Sequence, residues 1–78
     1  MPNTQKAIDK ICTYRGLPNL KKGMACEVDG ENGVIFGGNH AANLNVKFND
    51  GRIRNCHPGW RMKVFDRNGD IFYKSDDV

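Results

Sequence analysis

Seventy-eight residues, 38% hydrophobic and 27% charged, make a polar, foldable composition for one small domain, whose core is too thin to enclose a large internal active-site cavity. A net charge of +3 permits contact with nucleic acid without demanding it. No apolar run approaches the roughly 20 residues of a membrane helix, and the first ten residues lack the apolar core of a signal peptide, so a cytoplasmic protein away from the membrane is expected.

Asn3 or Thr4 can cap a short helix over residues 3–15, in which Ala7, Ile8, Ile11 and Cys12 recur at helical spacing and Lys6, Asp9, Lys10 and Thr13 fall on the other face. Gly16 supplies a stop and Pro18 prevents continuation. Three turns are marginal alone, so the helix has to dock on the rest of the chain. It either lids a barrel end or presents Tyr14 and Arg15 to a partner. Residues 16–23 form a loop that Leu17 and Leu20 pin to the core, with Lys21 and Lys22 in solvent.

Residues 23–66 then alternate with the period of strands. A first strand at 24–29 turns Met24, Cys26 and Val28 inward. A turn at 30–33 leads to a second strand at 33–37, where Gly33, Gly37 and Gly38 mark bends or close backbone approach. After a polar connection at 39–42 containing His40, a third strand at 43–49 sends Leu44, Val46 and Phe48 inward and Asn43, Asn45, Lys47 and Asn49 outward. Asn49-Asp50-Gly51 is a hairpin signal. The fourth strand, 52–56, places Ile53 inward and Arg52 and Arg54 outward. His57-Pro58-Gly59-Trp60 is a tight turn, and the fifth strand, 61–66, buries Met62 and Val64 and exposes Arg61 and Lys63. An extension at 67–74 holds a second hairpin turn, Asn68-Gly69, and a last strand that covers an edge or end of the barrel. The tail at 75–78 is polar and is expected to fray.

Five short strands, a hairpin between the third and fourth and a single turn before the last core strand look like an SH3-like barrel. Within it, residues 24–35 resemble a KOW-type segment, an alternating strand and turn followed by Gly33-Val34-Ile35. The wider order resembles a family of small, mostly uncharacterised bacteriophage and prophage proteins. It comprises Tyr14-Arg15-Gly16-Leu17-Pro18, Lys22-Gly23-Met24, Gly33-Val34-Ile35-Phe36-Gly37, Leu44-Asn45-Val46-Lys47-Phe48, and His57-Pro58 with Trp60. The fold expected is mainly β: a small SH3-like antiparallel barrel of about five strands, with a C-terminal hairpin extension and one short N-terminal helix. The resemblance implies a non-enzymatic accessory protein of the bacterial host cytoplasm.

Four constellations bear on function. If the alternation holds, Lys47, Arg52, Arg54, Arg61 and Lys63 project from three neighbouring strands, with Lys21 and Lys22 as further cations in the loop. Clustered cations attract phosphates and release counterions, and Asn43, Asn45 and Asn55 can donate to sugar or phosphate oxygens. The same pattern also describes a solvated face whose charges keep strand edges soluble, and Asp50, Asp66 and Asp70 can neutralise part of it. Tyr14, Trp60 and Tyr73 are candidate aromatic contacts for a base or a protein partner, although for Trp60, beside Pro58, the expectation is that it closes the barrel end as core.

The third constellation, Cys56-His57 with Cys26, Cys12 or His40, has zinc-ligand chemistry but no CxxC or HxxxH spacing. Strand neighbours point to opposite faces, so no metal or other cofactor is expected. The same adjacency works against the fourth, a Cys–His nucleophile pair, and the glycines are not followed by the lysine and helix of a phosphate loop. No catalytic residue, enzyme activity or small-molecule substrate is expected. An odd number of cysteines, Cys12, Cys26 and Cys56, argues against a disulfide framework. The function expected is weak, sequence-nonspecific contact with DNA or RNA through the basic face. The alternative is a protein-interaction module that binds or inhibits a host protein or another phage protein, and self-association to complete the thin core is a further possibility.

Overall fold

The computed structural model describes residues 3–78, so the first two residues of the expected 1–78 domain lie outside it. Thr4 stands extended, and its Oγ1 accepts a hydrogen bond from the Ala7 N–H at 3.2 Å. Helix α1 accordingly runs Gln5–Arg15 and closes on Gly16 in the left-handed conformation, φ 68°. Ile8, Ile11 and Cys12 are buried, on the face that the spacing predicts. Gln5 ties the helix to the loop after it, donating to the Leu20 carbonyl at 2.9 Å and accepting from the Lys22 N–H at 2.7 Å. No helix among the described residues is long and apolar enough to cross a membrane.

Among the described residues six strands follow: β1 (Ala25–Val28), β2 (Glu31–Gly38), β3 (Leu44–Phe48), β4 (Ile53–Cys56), β5 (Met62–Phe65) and β6 (Ile71–Lys74). They form one antiparallel sheet in the order β4-β3-β2-β1-β5-β6. The first four make a meander, and β5 returns to pair with the free side of β1. The sheet therefore ends on two edges, β4 and β6, and is open, where a closed barrel was expected. The extension at 67–74 is one reason: β6 occupies the edge of β5 and lengthens the sheet instead of capping it.

Turn chemistry sets the register. Asp29 and Gly30 both take positive φ, 51° and 85°, the two-residue hairpin turn whose twist matches that of the strands. Strand β2 consequently starts at Glu31, earlier than a turn at 30–33 allows. The loop at 49–51 is one residue longer. Gly51 donates to the Phe48 carbonyl at 2.9 Å, and the Phe48 N–H donates to the Arg52 carbonyl at 2.8 Å. That loop sets Ile53 opposite Lys47 and Cys56 opposite Leu44. Ile53 therefore shares the outer face of Lys47 and is 49% exposed, whereas Cys56 is buried. The expected inward Ile53 is thus corrected, because shifting a strand by one residue exchanges its faces.

The core joins Ile8, Ile11, Cys12 and Leu20 to the inner residues of the sheet: Cys26, Val28, Ile35, Leu44, Val46, Phe48, Cys56, Met62 and Val64. At Gly38 a Cβ would overlap the end of the Ile11 side chain, so the missing side chain is what lets α1 lie directly on β2. Two further expectations change. Trp60 does not close the core but stands 50% exposed. The tail does not fray either, because Ser75 is buried and its Oγ accepts the Met62 N–H at 3.0 Å. Asp77 in turn accepts the Arg61 N–H at 2.9 Å. Two polar side chains thereby satisfy backbone donors where the chain enters β5, which gives a tail of solvated composition a fixed position.

Candidate functional site

The outer face of β2, β3 and β4 is built by an irregularity. Ile35 pairs with Val46 and Gly37 with Asn45, leaving Phe36 as an extra residue in β2. Such a bulge bends its strand and re-aims a side chain. Ile35 is buried opposite Val46, and Phe36 lies on the other side, the side of Asn45, where it is half-buried. Two ammonium groups meet its ring: Lys22 Nζ at 4.8 Å from the centroid and Lys47 Nζ at 5.6 Å. Lys22 is held there by a 2.8 Å hydrogen bond from its ammonium to the Asn3 carbonyl. A chain of amides runs alongside, with Asn55 Nδ2 donating to Asn45 Oδ1 at 3.0 Å and Asn45 Nδ2 to Asn3 Oδ1 at 2.9 Å. Register places Lys47 between Val34 and Ile53. The patch is aromatic, amide-rich and cationic, and its outward strand positions Val34, Phe36, Asn45, Lys47, Ile53 and Asn55 carry no carboxylate.

The expected basic residues do not form one face. Strand β5 lies beyond β1 and β2 from β3, so Arg61 and Lys63 are remote in sheet order from Lys47. Lys63 stands directly opposite Glu27 on β1 and Lys74 on β6. The Arg61 Nε is paired with Asp29 at 2.6 Å. Arg52 Nε meets Asp50 at 2.5 Å, and its guanidinium lies 3.4 Å from Glu31. Arg54 pairs opposite Val46 and so lies on the face away from Lys47, exposed because β4 is an edge. Lys21 is exposed in the loop before β1. Of the seven basic candidates, Lys22 and Lys47 are the two that converge on Phe36.

The aromatic candidates divide as well. Tyr14 is 79% exposed, on a groove between α1 and the connection at 39–42 that Lys10 and His40 also line. Its neighbour Arg15 is not presented to a partner. Its Nε donates to the Ala42 carbonyl at 2.6 Å and its Nη2 to Asn43 Oδ1 at 3.2 Å, clamping that connection to the helix end. The Tyr73 hydroxyl donates to the Pro58 carbonyl at 2.7 Å, which ties β6 to the tight turn, and burial raises its phenol above the ordinary value. The residue that sequence reasoning passed over is Phe36. Its signal lay in the alternation itself: with Gly33 and Ile35 inward, the next aromatic faces out.

The thiols are placed for packing. Burial, with Cys56 nearby, pushes Cys26 up to about 12, and burial raises Cys56 as well. Both are protonated at neutral pH and weak as nucleophiles or metal ligands. Cys56 is buried whereas His57 is exposed, and the His57 Nδ1 accepts the Gly59 N–H at 2.9 Å. Among the described residues no group of three His, Cys, Asp or Glu side chains is arranged to hold a metal ion. Fold and site together define a mainly β domain with one docked helix and a lysine-flanked aromatic on an open sheet. No protein-family model, curated protein or solved structure matches the chain.

Proposed function

We propose that this chain is a non-enzymatic SH3-like binding domain, of the kind found among small bacteriophage and prophage proteins, that contacts DNA or RNA weakly and without sequence preference in the bacterial cytoplasm. The contact runs through the outer face of β2–β4, not through Arg52, Arg54 and Arg61. The SH3-like assignment is supported by the four-strand meander, the tight turn at 57–60 and the return of β5 to β1. One observation carries the function: Lys22 and Lys47, from separate segments, bring their ammonium groups to 4.8 and 5.6 Å from one outward aromatic ring, beside a row of amides. Cations release counterions from a polyanion, and the amides offer donors to sugar and phosphate oxygens.

Fluorescence anisotropy with labelled DNA and RNA at about 50 mM salt tests this. Weak binding with a shallow salt dependence is expected, as only two lysines face the polymer. Lys22→Gln combined with Lys47→Gln removes it, whereas Arg61→Gln, whose side chain is committed to Asp29, leaves it largely intact. An absence of binding to either polymer at that salt would sink the proposal.

A protein partner is favoured by a separate observation. The edge strand β6 exposes Ile71 and Phe72, the combination that lets an extended segment add to a sheet. Capture of a defined host protein that survives nuclease and is lost in Ile71→Lys would favour this second function.

A further inference from the structure

Resting on that nucleic-acid function, we infer that the polymer is single-stranded and that Phe36 is the residue on which one of its bases stacks. The bulge leaves Phe36 outside the pairing ladder, and its ring lies away from the core, half-buried on a face otherwise made of Val34, Asn45, Lys47, Ile53 and Asn55. A ring that served only the core would lie on the other side with Ile35.

The two lysines make the ring a replaceable contact. An exposed ammonium over a benzene ring holds on more weakly than a nucleobase stacked on it. A base can therefore take the ring, while the displaced Lys22 or Lys47 swings on its flexible stem to an adjacent phosphate. One ligand thus satisfies the aromatic and both cations. A duplex cannot do this without unstacking, since its base faces are already covered, so it would meet the lysines alone. Every base has a π-face, so the contact tolerates any sequence.

The test compares a labelled oligothymidine with a duplex of equal length, at equal salt, on the full chain. The single strand is expected to bind roughly tenfold tighter. Phe36→Leu, which keeps an apolar side chain but no aromatic face, is expected to erase that preference, and its thermal melt verifies that the variant is folded. In Phe36→Trp with Trp60→Phe, which keeps an aromatic face, the preference persists. The sole indole is then quenched by oligothymidine but not by inorganic phosphate. Equal affinity for single strand and duplex, or single-strand binding untouched by Phe36→Leu, overturns the stacking inference while leaving the broader nucleic-acid function standing. Binding to neither polymer overturns both.

Discussion

Gly33 and Gly38 are both buried strand glycines, yet the structure needs them for different reasons. A Cβ on Gly33 would lie 2.7 Å from the Lys47 carbonyl oxygen and 3.1 Å from the Phe48 Cα, both backbone atoms of the paired strand. Relief requires opening the β2–β3 ladder. A Cβ on Gly38 meets the tip of Ile11, which can change rotamer, and next the Ala7 carbonyl oxygen at an ordinary 3.5 Å. Overpacking a core costs about 1–3 kcal/mol, so Gly33→Ala is expected near the top of that range and Gly38→Ala near the bottom. Urea unfolding of the two variants checks the order, and equal losses would contradict it. The carboxylates give a second test at this scale. Asp77 is held below the ordinary carboxylate range by the Ser75 hydroxyl and then by the Arg61 N–H, and Asp50 chiefly by the Arg52 N–H. A depressed folded value adds stability above the unfolded value, and that stability is lost as pH falls through the folded one. Melting temperature should therefore drop below about pH 4, and Asp77→Asn should start lower at neutral pH and drop less.

At the scale of elements, what was legible in the sequence is what local chemistry determines. The cap at Thr4, the stop at Gly16, the apolar stripe of α1 and the inward residues of β1, β3 and β5 all follow from neighbours a few positions away. What was not legible depends on counting residues through a turn or on groups meeting from a distance. The orientation of β4 hung on a three-residue loop, and the alternation of Arg52, Ile53 and Arg54 reads equally well in either register. The tail depends on Ser75 and Asp77 reaching Met62 and Arg61, which no composition reveals. Ser75→Ala tests that hook. It leaves the Met62 N–H without its side-chain acceptor in a site that is 1% exposed, so a loss of about 1–2 kcal/mol in urea unfolding is expected. Stability unchanged by the substitution would mean that the tail contributes nothing to β5.

At the scale of the molecule, strand order decides which charges act together. The sequence displays every cation, but alternation assigns each only to a side of its own strand. It does not say that β5 pairs with β1, which removes Arg61 and Lys63 from the neighbourhood of Lys47. Nor does it say that the loop before β1 carries Lys22 to the ring of Phe36. The arginine pairs with Asp29, Asp50 and Glu31 are half-exposed, and such pairs contribute little to stability. Their effect is positional: they occupy guanidinium groups at hairpin ends and leave two lysines facing outward beside an aromatic. The candidate site was thus half legible, in its lysines and asparagines but not in its centre.

The burial of the three cysteines makes the chain its own unfolding clock. Alkylating reagents consume thiolate, so a buried thiol pushed up to about 12, as Cys26 is, stays silent until its surroundings open. Cys56 ends an edge strand, Cys26 is on β1 between β2 and β5, and Cys12 is on the buried face of α1. Fraying of β4 alone uncovers Cys56, whereas Cys26 requires the loss of β2 or β5. Pulsed alkylation read by mass spectrometry should mark Cys56 well before Cys26, each rate reporting the opening of its own segment. Identical rates at all three would show a molecule that opens only as a whole.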